Sequence, residues 1–82
     1  MDRRDRLQII AEILHIARKG AKKTHIVYKA NLNHALLEDY LQTLEEQGLI
    51  SKNADPMHNV QTTQRGIQFV EYYRTLKAFA NF

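Results

Sequence analysis

The 82-residue chain predicts a mainly α protein with a small β-hairpin, and three observations carry that prediction. Apolar residues recur at helical spacing through most of its length. Asn31 and Asn33 break the middle of the chain into a short and a longer helix around a tight turn. Two short stretches that read as antiparallel strands, 49–53 and 60–62, flank Ala54-Asp55-Pro56-Met57, whose Asp and Pro supply turn chemistry.

Length and composition set the bounds. A chain this size buries only roughly 60–65% of the surface its unfolded form exposes, which makes one small domain over residues 1–82. Pairing with a second copy would add to its stability. Cysteine is absent, so neither disulfides nor thiolate metal ligands are available, which fits the cytoplasm. No apolar run approaches membrane-span length, and MDRRDR leads directly into an amphipathic helix rather than a signal sequence. A soluble, intracellular protein with no membrane partner is expected.

The formal net charge of +3 is unevenly spread. Residues 1–30 hold eight Lys or Arg against three acids (8 − 3 = +5), and residues 51–82 hold four against two (4 − 2 = +2). Residues 31–50 hold four acids and no Lys or Arg, a segment charge of −4. Positive ends suit a polyanionic partner.

The first helix is predicted over residues 5–19. Leu7, Ile10, Ile13, Leu14 and Ala17 form its apolar face, widened by Ile9 and Ile16, with Gln8, Glu12, His15 and Lys19 opposite. Gly20 ends it, and Arg18 and Lys19 complement the negative end of its dipole. Arg3, Arg4 and Arg6 read as a solvated terminus, partly offset by Asp2 and Asp5, in preference to a phosphate-gripping arm.

The helix-turn-helix is predicted over residues 24–47. Thr24 is placed to cap a short helix over 25–30, with Ile26 and Ala30 inward. Asn31 suits left-handed backbone, and Asn33 suits the cap of the longer helix, which carries Leu37, Leu41 and Leu44 at spacings of four and three. Gly48 follows as its stop. Lys22, Lys23, Thr24 and His25 gather two charges, a hydroxyl and an imidazole at a helix N-terminus, where unpaired N–H groups favour phosphate. The second helix leaves His34, Ala35, Glu38, Asp39, Gln42 and Thr43 facing outward. In helix-turn-helix proteins the N-terminal part of that helix reads base edges in the major groove. Gln42 suits adenine and Glu38 or Asp39 suits cytosine, but the acids equally suit a solvated or protein-contacting face. Lys52, His58 and Asn59 stand on the hairpin, or wing, over residues 49–62.

Thr63 is placed to cap the last helix, predicted over residues 64–80. Ile67 and Val70 are expected to close the core. Phe69, Tyr72, Leu76 and Phe79 then follow at spacings of three, four and three, broadened by Tyr73. So large an apolar strip on a small domain predicts a homodimer interface through this helix.

KKTHIVYKANLN, the leucine-bearing helix after it and EEQGLI resemble the archaeal winged helix-turn-helix family, which includes small transcriptional regulators and the 10a-type DNA-binding proteins. The resemblance rests on Lys23, Thr24, Ile26, Tyr28, Lys29, Ala30, Asn31, Leu32, Tyr40, Leu41, Leu44, Gly48, Leu49 and Ile50, with a second block at Thr63-Gln64-Arg65-Gly66. It implies a winged helix with an extended C-terminal helix that binds double-stranded DNA, often as a dimer, in the cytoplasm with the nucleoid. Two positions depart from the family pattern. Glu38 and Asp39 stand where lysine is common, and Thr62 stands where an apolar residue is usual, which predicts a looser core there.

Other classes fit less well. His15, His25, His34 and His58 lack metal-ligand spacing, and Gly20, Gly48 and Gly66 sit singly rather than in a phosphate loop. No nucleophile is paired with a base. No enzyme, metal site or cofactor is expected. The serious alternative is a winged-helix module that binds protein through its acidic helix.

Overall fold

The computed structural model describes residues 3–80; Asp2, expected to offset charge near the N-terminus, lies outside them. The order is α1 (Arg6–Ile16), α2 (Lys23–Ala30), α3 (His34–Glu46), β1 (Ile50–Lys52), β2 (Val60–Thr62) and α4 (Gln64–Ala80). Four helices and one antiparallel hairpin make a winged helix with a long C-terminal helix.

Asp5 starts α1, its carboxylate accepting from the Gln8 N–H at 2.7 Å. The helix stops at Ile16, three residues before the predicted end. The cause is tertiary. The Arg18 N–H turns to the His15 carbonyl at 3.3 Å, releasing the Leu14 carbonyl, and the Thr62 hydroxyl donates to it at 2.6 Å. The Thr62 N–H takes the Ala17 carbonyl at 2.9 Å. Thr62 is therefore buried and fully engaged, and the looser corner expected from it does not occur. Arg18 still serves the helix end, because its guanidinium donates to the His15 carbonyl at 2.7 Å. Leu7 shares a face with Ala11 and Leu14 but precedes the packed part of α1, so it stays 54% exposed rather than joining the core.

The Ala21 N–H and carbonyl pair with Val60 at 2.8 and 3.0 Å, an unpredicted third strand position beside the hairpin. That pairing holds the chain extended up to Lys22, so α2 begins at Lys23 without a side-chain cap. Thr24 lies inside the first turn and does not cap it. Asn31 has φ 55° and ψ 52°, and the Leu32 N–H returns to the Val27 carbonyl at 3.1 Å, which closes α2. Asn33 caps α3 by accepting from the Leu36 N–H at 2.7 Å. Leu37, Leu41 and Leu44 are buried with Ile26 and Ala30. Gly48, at φ 75°, lets the Leu49 N–H reach the Leu44 carbonyl at 2.9 Å.

β1 pairs with β2 in the register Ile50↔Thr62, Ser51↔Gln61, Lys52↔Val60. The strand is shorter than the predicted 49–53 because Leu49 is spent on the α3 stop and on accepting from the Thr63 N–H at 3.1 Å. Thr63 caps α4: its hydroxyl accepts from the Gly66 N–H at 3.1 Å and donates to the Gly48 carbonyl at 2.6 Å. Gly66 is required there. A Cβ would collide with the Leu49 carbonyl oxygen and lie 2.5 Å from Thr62 Cγ2. Ile67 and Val70 are only half-buried, so the core closes chiefly through Ile9, Ile13, Leu14, Leu49, Ile50 and Val60.

Candidate nucleic-acid interface

The start of α2 lies on the surface beside α3. Lys22, Thr24 and His25 are exposed and Lys23 is half-buried. Because no side chain caps this helix, its first N–H groups remain open to an external acceptor, a better anion site than a Thr24 cap would leave. Tyr28, one turn beyond Thr24, is 82% exposed and extends this face. It was missed as a candidate. The Thr24–Tyr28 spacing, offset from the inward Ile26–Ala30 pair, was the available signal.

On α3 the outermost strip is Ala35, Asp39, Gln42 and Glu46, at spacings of four, three and four and all exposed. His34 is exposed at its start. Thr43 is half-buried, and its hydroxyl donates back to the Asp39 carbonyl at 3.3 Å. Glu38 and Glu45 flank the strip and reach neighbouring elements. Lys23 Nζ lies 2.7 Å from Glu38 Oε1, and Lys52 Nζ lies 3.6 Å from Glu45 Oε1. On the wing, His58 Nδ1 lies 3.0 Å from Asp55 Oδ2. Three of the predicted DNA contacts, Lys23, Lys52 and His58, thus lie against acids of their own chain.

The titration of Glu38 and Asp55 reflects the pairing. The hydrogen bond from Lys23 holds the Glu38 carboxyl below its ordinary value despite some desolvation, helped by the charges of Lys23, Lys52 and His34. The His58 ring and the Met57 N–H do the same for Asp55. The wing tip is tied by the Asn53 amide, which donates to the His58 carbonyl and to Gln61 Oε1, each at 3.0 Å.

The predicted dimer residues separate onto different sides of α4. Tyr72, Leu76 and Phe79 form an exposed strip, at 70%, 68% and 71% exposure. Phe69 is half-buried against the core, and Tyr73, about a quarter turn round the helix from the strip, lines the groove toward α1. Among the described residues, no group of three or more His, Asp or Glu is arranged to hold a metal, and no helix is long and apolar enough to cross a membrane.

Comparison with known proteins agrees with this architecture. The chain is 39% identical over 54 residues to an uncharacterized protein, MJ0287, of Methanocaldococcus jannaschii, a match covering 65% of this chain and 56% of that protein. It therefore spans little more than half the length of that relative. The crystal structure of Sso10a-2, a DNA-binding protein from Sulfolobus solfataricus, superposes with a TM-score of 0.79 and 21% identity, over 95% of this chain and 84% of that one. The likeness to Sso10a-2 is one of fold. A winged helix-turn-helix family model matches residues 3–81, nearly the whole chain, and the protein belongs to that family.

Proposed function

We propose that this protein binds duplex DNA as a homodimer and acts as a transcriptional regulator or small chromatin protein of an archaeal nucleoid. The observation that carries this reading is the juxtaposition of an uncapped α2 start, bearing Lys22, Lys23, Thr24 and His25, with the exposed strip of α3. A phosphate at the α2 start would receive backbone N–H groups and lysine charge together, and would fix the register of α3 against the duplex. His34 and Gln42 then face base edges, with Thr43 beside the adjacent backbone. Lys52 and His58 serve the wing. The description of Sso10a-2 as a DNA-binding protein supports the same reading.

Docking must displace Glu38 from Lys23 and Glu45 from Lys52, or leave those lysines partly neutralised. Backbone contact through the α2 start should therefore dominate affinity. Fluorescence anisotropy with random duplex DNA at low and physiological salt tests this directly. Binding that weakens steeply with salt is expected, with the slope counting phosphate contacts. No binding at low salt would reject the reading. It would favour a protein partner for the α3 strip, whose Asp39 and Glu46 have no ion pair among the described residues.

Dimerisation is assigned to the exposed strip of Tyr72, Leu76 and Phe79, with Phe69 at its base. Replacing Leu76 and Phe79 with Glu should convert a dimer to a monomer in sedimentation at micromolar concentration. An unchanged species would place the interface elsewhere.

A further inference from the structure

The side of α4 turned away from the exposed strip is not bare. Val70, Tyr73, Arg74, Lys77 and Ala78 recur at helical spacing and form one wall of an open groove of about 880 Å³. The facing wall is α1, through Gln8, Ala11, Glu12, His15 and Ile16, and the end of α2 closes it with Lys29 and Asn31. Its size lies within the range of about 300–1,000 Å³ found for small-molecule sites.

The lining has two characters. Ala11, Ile16, Val70, Ala78 and the Tyr73 ring supply apolar surface. Lys29, Arg74 and Lys77 supply three positive charges, beside Arg4 and the carboxylate of Glu12. That carboxylate is already bound by Arg4. Lys77 Nζ stands 6.0 Å from the centroid of the Tyr73 ring, so cation and aromatic face are side by side. His15 lines the groove, with its Nε2 3.2 Å from Arg18 Nη1. Burial, then the charges of Arg18 and Arg74, hold its pKa below the ordinary value.

We propose that this groove binds a small organic anion with a flat apolar body, of the aromatic carboxylate class. The body would lie between the α1 wall and Tyr73, and the carboxylate would meet Arg74, Lys77 and Lys29. Inorganic phosphate would leave the apolar walls unused, and a neutral aromatic would leave the cations unmatched. A duplex offers its phosphates on a convex backbone with no apolar part to fill the cleft. A second copy of the chain is better served by the uncharged strip on the other side of α4. The site lies away from the α3 face, so its assignment stands independently of DNA binding.

The test is a ¹H–¹⁵N correlation titration of the full chain with 2-naphthoate, run in parallel with inorganic phosphate and with neutral 2-naphthol. Saturable naphthoate shifts are expected at Gln8, His15, Asn31, Tyr73 and Arg74, with a Kd below about 10 mM and at least about tenfold tighter than either control. The Arg74→Gln, Lys77→Gln double variant, with an otherwise superimposable spectrum, should weaken naphthoate about tenfold. If the double variant perturbs the spectrum, Lys29→Gln alone serves, with a weakening of about threefold. Three results would each overturn the proposal: no saturable shift, shifts confined to Tyr72, Leu76 and Phe79, or phosphate binding as tightly as naphthoate.

Discussion

The two cation-bearing faces of this molecule handle charge in opposite ways. On the face built from α2, α3 and the wing, Lys23, Lys52 and His58 each meet an acid, two of those acids projecting from α3. In the groove between α1 and α4, only Arg4 meets one, while Lys29, Arg74 and Lys77 form no ion pair with a described residue. Lys23 and Lys29 belong to the same short helix, yet they fall on different faces with different electrostatics. Segment charge therefore locates lysines without saying where positive potential is available. That depends on which acids the fold brings within about 4 Å, where an exposed pair already cancels much of each field.

The relation between the faces depends on the junction where Thr62, Thr63 and Gly66 fix α4 against α1 and the α3 stop. Gly66→Ala should have the largest effect. Its methyl group has no room against the Leu49 carbonyl and Thr62, and overpacking outweighs the better helix propensity of Ala, leaving a net loss of about 2 kcal/mol. Thermal unfolding followed by circular dichroism should fall by roughly 10 °C. An unchanged midpoint would mean that α4 is not seated there. Thr62→Val comes next. It keeps the volume but strands the buried Leu14 carbonyl, at a cost of about 1–2 kcal/mol in chemical denaturation. A neutral outcome would show that the carbonyl finds another partner.

The contrast in charge pairing can be sharpened on the α3 face. Glu38→Gln with Glu45→Gln releases Lys23 and Lys52, which should tighten duplex DNA about three- to tenfold and steepen the salt dependence. Unaltered affinity and slope would show that these pairs do not compete with phosphate. The smallest effect concerns pH. The folded-state pKa of Glu38 is lowered, so its pair stabilises the fold fully above the ordinary value of 4.5 and loses that contribution as pH falls through the lowered value. Both partners are more than a third exposed, so the contribution at pH 6 should be only about 0.2–0.5 kcal/mol. Comparing urea midpoints of the parent chain and Glu38→Gln at pH 6 and pH 3.5 checks the sign: the gap should shrink at the lower pH.

Much of the architecture was legible in the chain itself. Asn33 and Thr63 act on backbone groups three residues away, so their capping needs no distant partner. Asn31 and Gly48 adopt the left-handed backbone that their residue types allow, and Leu37, Leu41 and Leu44 of α3 face inward by period alone. α4 starts at Gln64, as predicted, for the same local reason. Local chemistry along the chain therefore sets a helix, a helix-turn-helix, a hairpin and a long final helix, in that order. Packing decided where α1 stops, because the Thr62 hydroxyl takes the Leu14 carbonyl and the Thr62 N–H shares the Ala17 carbonyl with that of Gly20. It also decided that α2 starts uncapped, through the Ala21–Val60 pairing, and that Lys23 and Lys52 are matched by acids of α3. These features join residues with no local periodic relation. They exist only once α1, the hairpin and α3 have packed into one body.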